Sequence, residues 1–122
     1  MTGSDPFLIE SNDIFEDYLQ KLLKSNKSFK NQIVETVGDY LEKLITDPYL
    51  SKSHLEPVPK SYEIREGWTF RKLAFTIGKG ASGQIRLMYL VNEQERIIRP
   101  LWVYNHEQFE KRPPDKELKN VL

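Results

Sequence analysis

Arg71, Lys72, Lys79, Arg86 and His106 are the side chains of this 122-residue sequence whose types and spacing could act on a phosphate. The first four are the cations of the stretch from Gly67 to Arg86, which contains no acidic residue. Cations with no carboxylate nearby in sequence are available to an external anion. Arg86 stands between Ile85 and Leu87, so it is expected in mid-strand, where an arginine costs more to place than in a loop. His106 follows the aromatic run that holds Trp102 and Tyr104, and an imidazole with an unperturbed pKa near 6.5 suits general acid or base work. Each residue also has a plainer reading. Lys79 reads as a solvated loop lysine, Arg86 as a salt-bridged outer-face residue and His106 as an exposed turn histidine. His54 lies in a polar segment and is assigned no role. Two isolated histidines without a ligand-spaced partner, in a chain with no cysteine, point away from a metal site and from any cofactor.

The elements that must position these groups are three consecutive strands, expected over Thr69–Ile77, Ile85–Val91 and Arg96–Tyr104. They are joined by the loop Gly78-Lys79-Gly80-Ala81-Ser82-Gly83 and by the polar tetrapeptide Asn92-Glu93-Gln94-Glu95. The loop spells G-x-G-x-x-G, but a dinucleotide site needs that turn to open a helix, and here a strand follows. Its glycines are read as hairpin-loop glycines that supply backbone angles other residues resist. Alternation puts Arg71, Leu73, Phe75 and Ile77 on one face of the first strand and Phe70, Lys72 and Ala74 on the other. In the second strand Ile85, Leu87, Tyr89 and Val91 form the face expected to pack on helices. Lys72 and Arg86 then share an open face if the pairing is in register, a concavity that would suit a sugar-phosphate backbone. Pro100 has no N–H to donate, so the third strand needs an edge, a bulge or a break there.

Upstream, Ile14, Phe15, Tyr18, Leu19, Leu22 and Leu23 recur at helical spacing after candidate N-caps at Ser11, Asn12 and Asp13. A second stripe runs from Phe29 through Ile33, Val34, Val37, Tyr40, Leu41, Leu44 and Ile45, and Asp47-Pro48 ends it. The order α-α-β-β-β-tail predicts an α+β fold in two layers, with an N-terminal helical hairpin packed on one face of a small, mainly antiparallel sheet. The chain reads as one domain over 1–122, with residues 1–12 a flexible lead-in and 110–122 a polar tail. A short helix from Asp115 would dock Leu118, Val121 and Leu122. Segment 48–66 shows no clear periodicity.

The formal net charge is zero but unevenly divided. Residues 1–60 hold 7 Lys/Arg against 10 Asp/Glu, and residues 61–122 hold 11 against 8. That balance argues against promiscuous nucleic-acid binding and permits a local phosphate-facing patch. No apolar run approaches the ~20 residues needed to span a bilayer. The amino terminus lacks a signal-peptide pattern, so a cytoplasmic protein without a membrane partner is expected.

Taken together, the two helices, the F-R-K-L strand, the strand Gly83-x-Ile85-Arg86-Leu87-x-Tyr89-x-Val91 and the run I-I-R-P-L-W-V-Y-N-H-E-Q-F resemble the RelE/ParE family, over about residues 13–109. These are toxins of bacterial type II toxin–antitoxin systems. The resemblance implies a helical hairpin on a small sheet and a cognate antitoxin as partner. In the RelE-like branch it implies endonuclease cleavage of mRNA on the ribosome, by attack of a ribose 2′-hydroxyl on the adjacent phosphate without a metal. Arg86 matches the family's strand arginine, Arg71 or Lys72 its preceding basic positions, and His106 the acid–base position after the last long strand. Phe109 stands where family nucleases often carry a tyrosine, so that either His106 with Glu107 builds the acid–base pair or the nuclease activity is weak or lost. The ParE-like branch implies instead a protein-binding toxin that poisons DNA gyrase. A toxin-derived module that only binds a partner is the third possibility.

Overall fold

The computed structural model describes residues 5–78 and 80–122. Five strands form one sheet in the order β1-β5-β4-β3-β2: β1 is Leu8–Ile9, β2 Ser53–Leu55, β3 Trp68–Thr76, β4 Gln84–Asn92 and β5 Ile97–Asn105. The three long strands are those expected from the aromatic and β-branched runs. β3 and β4 pair antiparallel from Trp68↔Asn92 to Thr76↔Gln84 without interruption. β4 and β5 pair antiparallel with a bulge that shifts the register opposite Pro100 and Leu101, the accommodation a proline without an N–H requires. Between β3 and β4 the glycine loop makes a single 3-10 turn, Ala81–Gly83, before β4 begins, so no α-helix opens from it. Gly78 and Gly80 take positive φ, and a Cβ at Gly83 would lie 1.9 Å from the Ile77 carbonyl oxygen, so the loop closes only with glycine there. Lys79 falls outside the described residues.

Helices α1 (Asp13–Ser25) and α2 (Lys30–Thr46) follow the apolar periodicity. The Asn12 side chain caps α1 by accepting from the Phe15 amide at 2.8 Å. Ile33, Val37 and Leu44 of α2, with Phe15, Leu22 and Leu23 of α1, pack on Leu73, Phe75, Ile85, Leu87, Tyr89 and Val91. This is an α+β fold with a helical hairpin on one face of a mainly antiparallel sheet.

Two short strands depart from expectation. Residues 1–12 were expected as a flexible lead-in, but Leu8 and Ile9 pair in parallel with Ile97 and Ile98 of β5, and Phe7 is buried. Segment 48–66 contributes β2, which pairs antiparallel with Leu73, Lys72 and Arg71. Strands of two and three residues carry no period that a sequence could display. Beyond β1, α1 covers the exposed edge of β5: Asn12 Nδ2 donates to the Pro100 carbonyl at 2.9 Å, and Tyr18 stacks on Trp102 with ring centroids 3.7 Å apart.

The face away from the hairpin was expected to be open. Most of it is a second apolar core. Phe70, Met88, Leu90, Leu101, Trp102 and Tyr104 are buried there beneath Leu118, with Val58, Ile64 and Phe109 packed around them. The cover is the 56–66 segment and α3 (Asp115–Val121), which docks Leu118 as the tail's sequence suggested. Among the described residues no helix is long and apolar enough to cross a membrane.

Leu118 is fully buried on a seven-residue helix with little intrinsic stability. Leu118→Ala is expected to lower the unfolding free energy by about 2–4 kcal/mol in urea titration. A loss below about 1 kcal/mol would show that the tail does not hold the second core closed.

Candidate functional site

The second core stops short of one corner of the sheet, where β2 begins, β3 ends and β4 starts. An open cleft of about 620 Å³ lies there, lined by Ser51, Lys52, His54, Ala74, Phe75, Thr76, Gly80, Gln84 and Arg86. The lining is polar and basic and contains no carboxylate.

Arg86 is the central cation. It pairs across the sheet with Ala74 on one side and Tyr104 on the other, so it shares a face with Lys72, as the alternation implied. Its guanidinium Nη1 donates to the Ile85 carbonyl at 3.2 Å, and it makes no ion pair among the described residues. A half-buried guanidinium with most of its five donors uncommitted is suited to bind an oxyanion in two-pronged fashion.

Lys72 shares that face but is engaged. Its ammonium lies 3.2 Å from Glu56, whose side chain is only 8% exposed. Arg112 reaches the other Glu56 oxygen at 3.0 Å and also pairs with Asp115 at 2.8 Å. This cluster ties β3 and the segment after β2 to the start of α3. Removing one cation would leave the Glu56 charge partly uncompensated in a poorly solvated place, so the cluster holds the tail cover in position.

Arg71 was read as a phosphate-binding residue. It projects from the opposite face, the consequence of one step in strand parity. Its Nε donates to Ser53 Oγ at 2.9 Å, its Nη2 to the Ser53 carbonyl at 3.0 Å, and its guanidinium lies over the Tyr49 ring, with its central carbon 5.0 Å from the ring centroid. Tyr89, fully buried, donates its phenolic proton to the Pro48 carbonyl at 2.7 Å, so the Ser53 hydroxyl is left to donate to the Tyr89 oxygen. Burial pushes the Tyr89 phenol up, against the opposing effect of its bonds to Ser53 and Arg71, and it stays neutral. Arg71 is thus a clamp on β2, outside the cleft lining.

His106 lies at the same sheet end as the cleft. Its amide donates to the Gln84 carbonyl at 2.9 Å, extending the β4–β5 ladder by one rung. Asn105 and Gln108 fix the turn that carries it. The Asn105 amide donates to Gln108 Oε1 at 3.1 Å, and the Gln108 amide donates to Asn105 Oδ1 at 2.9 Å. Asn105 Nδ2 also reaches the Ser82 carbonyl of the glycine loop at 3.2 Å. Sequence reasoning missed these two residues, although an asparagine at a strand end three places before a glutamine is a recognisable turn signature. It also gave His54 no role, and β2 carries His54 into the cleft lining.

Phe109, at the position where a tyrosine was sought, packs edge-on against Trp102 and Tyr104. It is part of the second core. The nearby Tyr104 phenol donates to the Lys111 carbonyl at 3.0 Å. Its pKa is raised, by burial first and by Glu56 second, with Arg86 and Arg112 opposing. It is therefore a structural hydroxyl at neutral pH. Comparison with family models, with curated proteins and with solved structures found no match to this chain.

The Tyr104 shift carries a pH signature. A phenol whose folded pKa lies above its unfolded value of about 10 contributes stability that is complete below pH 10 and is lost as pH rises beyond it. Wild type is expected to lose stability more steeply above pH 10 than Tyr104→Phe, measured by chemical denaturation at stepped pH. Parallel alkaline limbs would show that the phenol ionises equally in both states.

Proposed function

We propose that this protein is a RelE-type toxin, a metal-independent mRNA endonuclease that works on the ribosome in the cytoplasm and is neutralised by a cognate antitoxin. The observation that carries the reading is the cleft, whose lining holds no carboxylate and whose arginine, Arg86, pairs with none. Transesterification at phosphorus builds negative charge on the non-bridging oxygens. A preformed guanidinium in a site free of competing carboxylates stabilises that charge more in the transition state than in the ground state. His106, held by the Asn105–Gln108 turn beside Gln84, supplies an imidazole that can take or give a proton. The helical hairpin on the opposite face agrees with the architecture that the sequence resemblance implies.

The division of the cations refines the roles. Arg86 binds the reacting phosphate, and Lys72, in its pair with Glu56, sets the edge of the positive field without reaching the reacting atoms. Arg71 acts through β2.

The test is induced expression in a bacterial host together with a purified translation reaction, each followed by mapping of new mRNA 5′ ends. Wild type is expected to arrest growth and cut mRNA within the ribosomal A-site frame. Arg86→Ala is expected to lower cleavage by about 10²–10³-fold, the loss typical of one anion-stabilising donor, with stability unchanged to within about 1 kcal/mol. Growth arrest without mRNA cleavage would sink the nuclease reading in favour of a protein target such as DNA gyrase.

A further inference from the structure

We infer that His54, in the cleft lining on β2, is a second proton-transfer group, acting across the bound phosphodiester from His106, which follows β5 at the same end of the sheet and does not itself line the cleft; the inference rests on the nuclease reading above. The chemistry needs two such groups. As the 2′-oxygen bonds to phosphorus its proton must leave. As the bond from phosphorus to the 5′-oxygen breaks, that oxygen must gain a proton. The entering and leaving oxygens stand on opposite sides of phosphorus in an in-line displacement, so one imidazole is not well placed for both. The products are a 2′,3′-cyclic phosphate and a 5′-hydroxyl. One histidine ends protonated and the other neutral, and exchange with water restores both.

Beside His106 and the exposed Glu107 that follows it outside the cleft lining, the structure leaves few candidates. The Tyr104 phenol is committed to the Lys111 carbonyl, and Phe109 has no proton to give. Glu56 is enclosed between Lys72 and Arg112. Lys52 donates to the Tyr40 hydroxyl at 3.1 Å. His54 is exposed, lines the cleft with Arg86 and is the one imidazole in that lining. Its charged surroundings are Lys72, its partner across the strand pair, Lys52 and Glu56 on either side in sequence, and Arg86 in the same cleft. Its backbone is held unusually well for an edge strand. The preceding residue, Ser53, is gripped by Arg71 and Tyr89 through both its hydroxyl and its carbonyl. A catalytic group needs that kind of support from residues that never touch substrate. Arg71 is by this argument a positioning residue for His54.

A substrate with sulfur in place of the bridging 5′-oxygen tests the assignment, because a thiolate leaves without being protonated. On ordinary mRNA in the purified translation reaction, His54→Gln and His106→Gln are each expected to cut about 10²–10⁴-fold more slowly than wild type, with unfolding midpoints preserved. On the sulfur-bridged substrate, the variant lacking the general acid recovers nearly to the wild-type rate and the other stays slow. Recovery of both, recovery of neither, or a wild-type rate for His54→Gln on ordinary mRNA would remove His54 from the reaction. Each of those results leaves the nuclease reading intact so long as wild type cuts and Arg86→Ala does not. Absence of cleavage by wild type would overturn both.

Discussion

The centre of the sheet is apolar on both faces, and the rest of the structure answers to that constraint. From Leu87 to Val91 every residue of β4 is buried, and β5 is buried continuously from Pro100 to Asn105. A helical hairpin covers one face only. Leaving the other bare would expose Phe70, Met88, Leu90, Trp102 and Tyr104 to water, at about 1.5–3 kcal/mol for each large side chain. The 56–66 segment and α3 are the answer, and the Glu56 ion cluster fixes them to β3. Their reach ends where β4 begins, which is why the corner left open there contains Gln84 and Arg86.

The same constraint sorts the cations into distinct physical situations. Arg71 satisfies its donors against Ser53 and lies over Tyr49, Lys72 neutralises a nearly buried carboxylate, and Arg86 keeps its guanidinium uncommitted. A charge count of the stretch treats them as equivalent. Parity in the strand and the location of Glu56 make them different, and the difference is what concentrates an available positive charge at a single place. Under the proposed function, catalysis depends on that concentration more than on net charge, which accommodates a formally neutral chain.

The long elements were legible in the sequence because their signals are local. Helical spacing marked both helices, Asn12 was among the named caps, alternation and turn residues marked β3 to β5, and Pro100 marked the bulge. The docking of Leu118 was readable from three apolar residues in an otherwise polar tail. What was not legible depended on distant partners. β1 and β2 exist only because β5 and β3 offer edges to them, and nothing in residues 8–9 or 53–55 displays a period. The placing of His54 in the cleft follows from β2, and the turn that holds His106 follows from a reciprocal bond between Asn105 and Gln108. The second core was hidden because Phe70, Met88 and Leu90 alternate with residues that looked like a sufficient inner face.

The parallel pairing of β1 with β5 joins Leu8 to Ile97, across about three quarters of the 122 residues. During synthesis at roughly 5–20 residues per second, the two strands emerge on the order of ten seconds apart. Until β5 appears, α1 has neither the edge it covers nor the Trp102 ring on which Tyr18 stacks. The nascent hairpin therefore lacks its β5 cover until that strand appears, and closing β1 on β5 carries the loop entropy of a long sequence separation. The five-stranded sheet is thus complete only once β5 has left the machine that made it, whereas the corner that holds Arg86 is built from β2, β3 and β4.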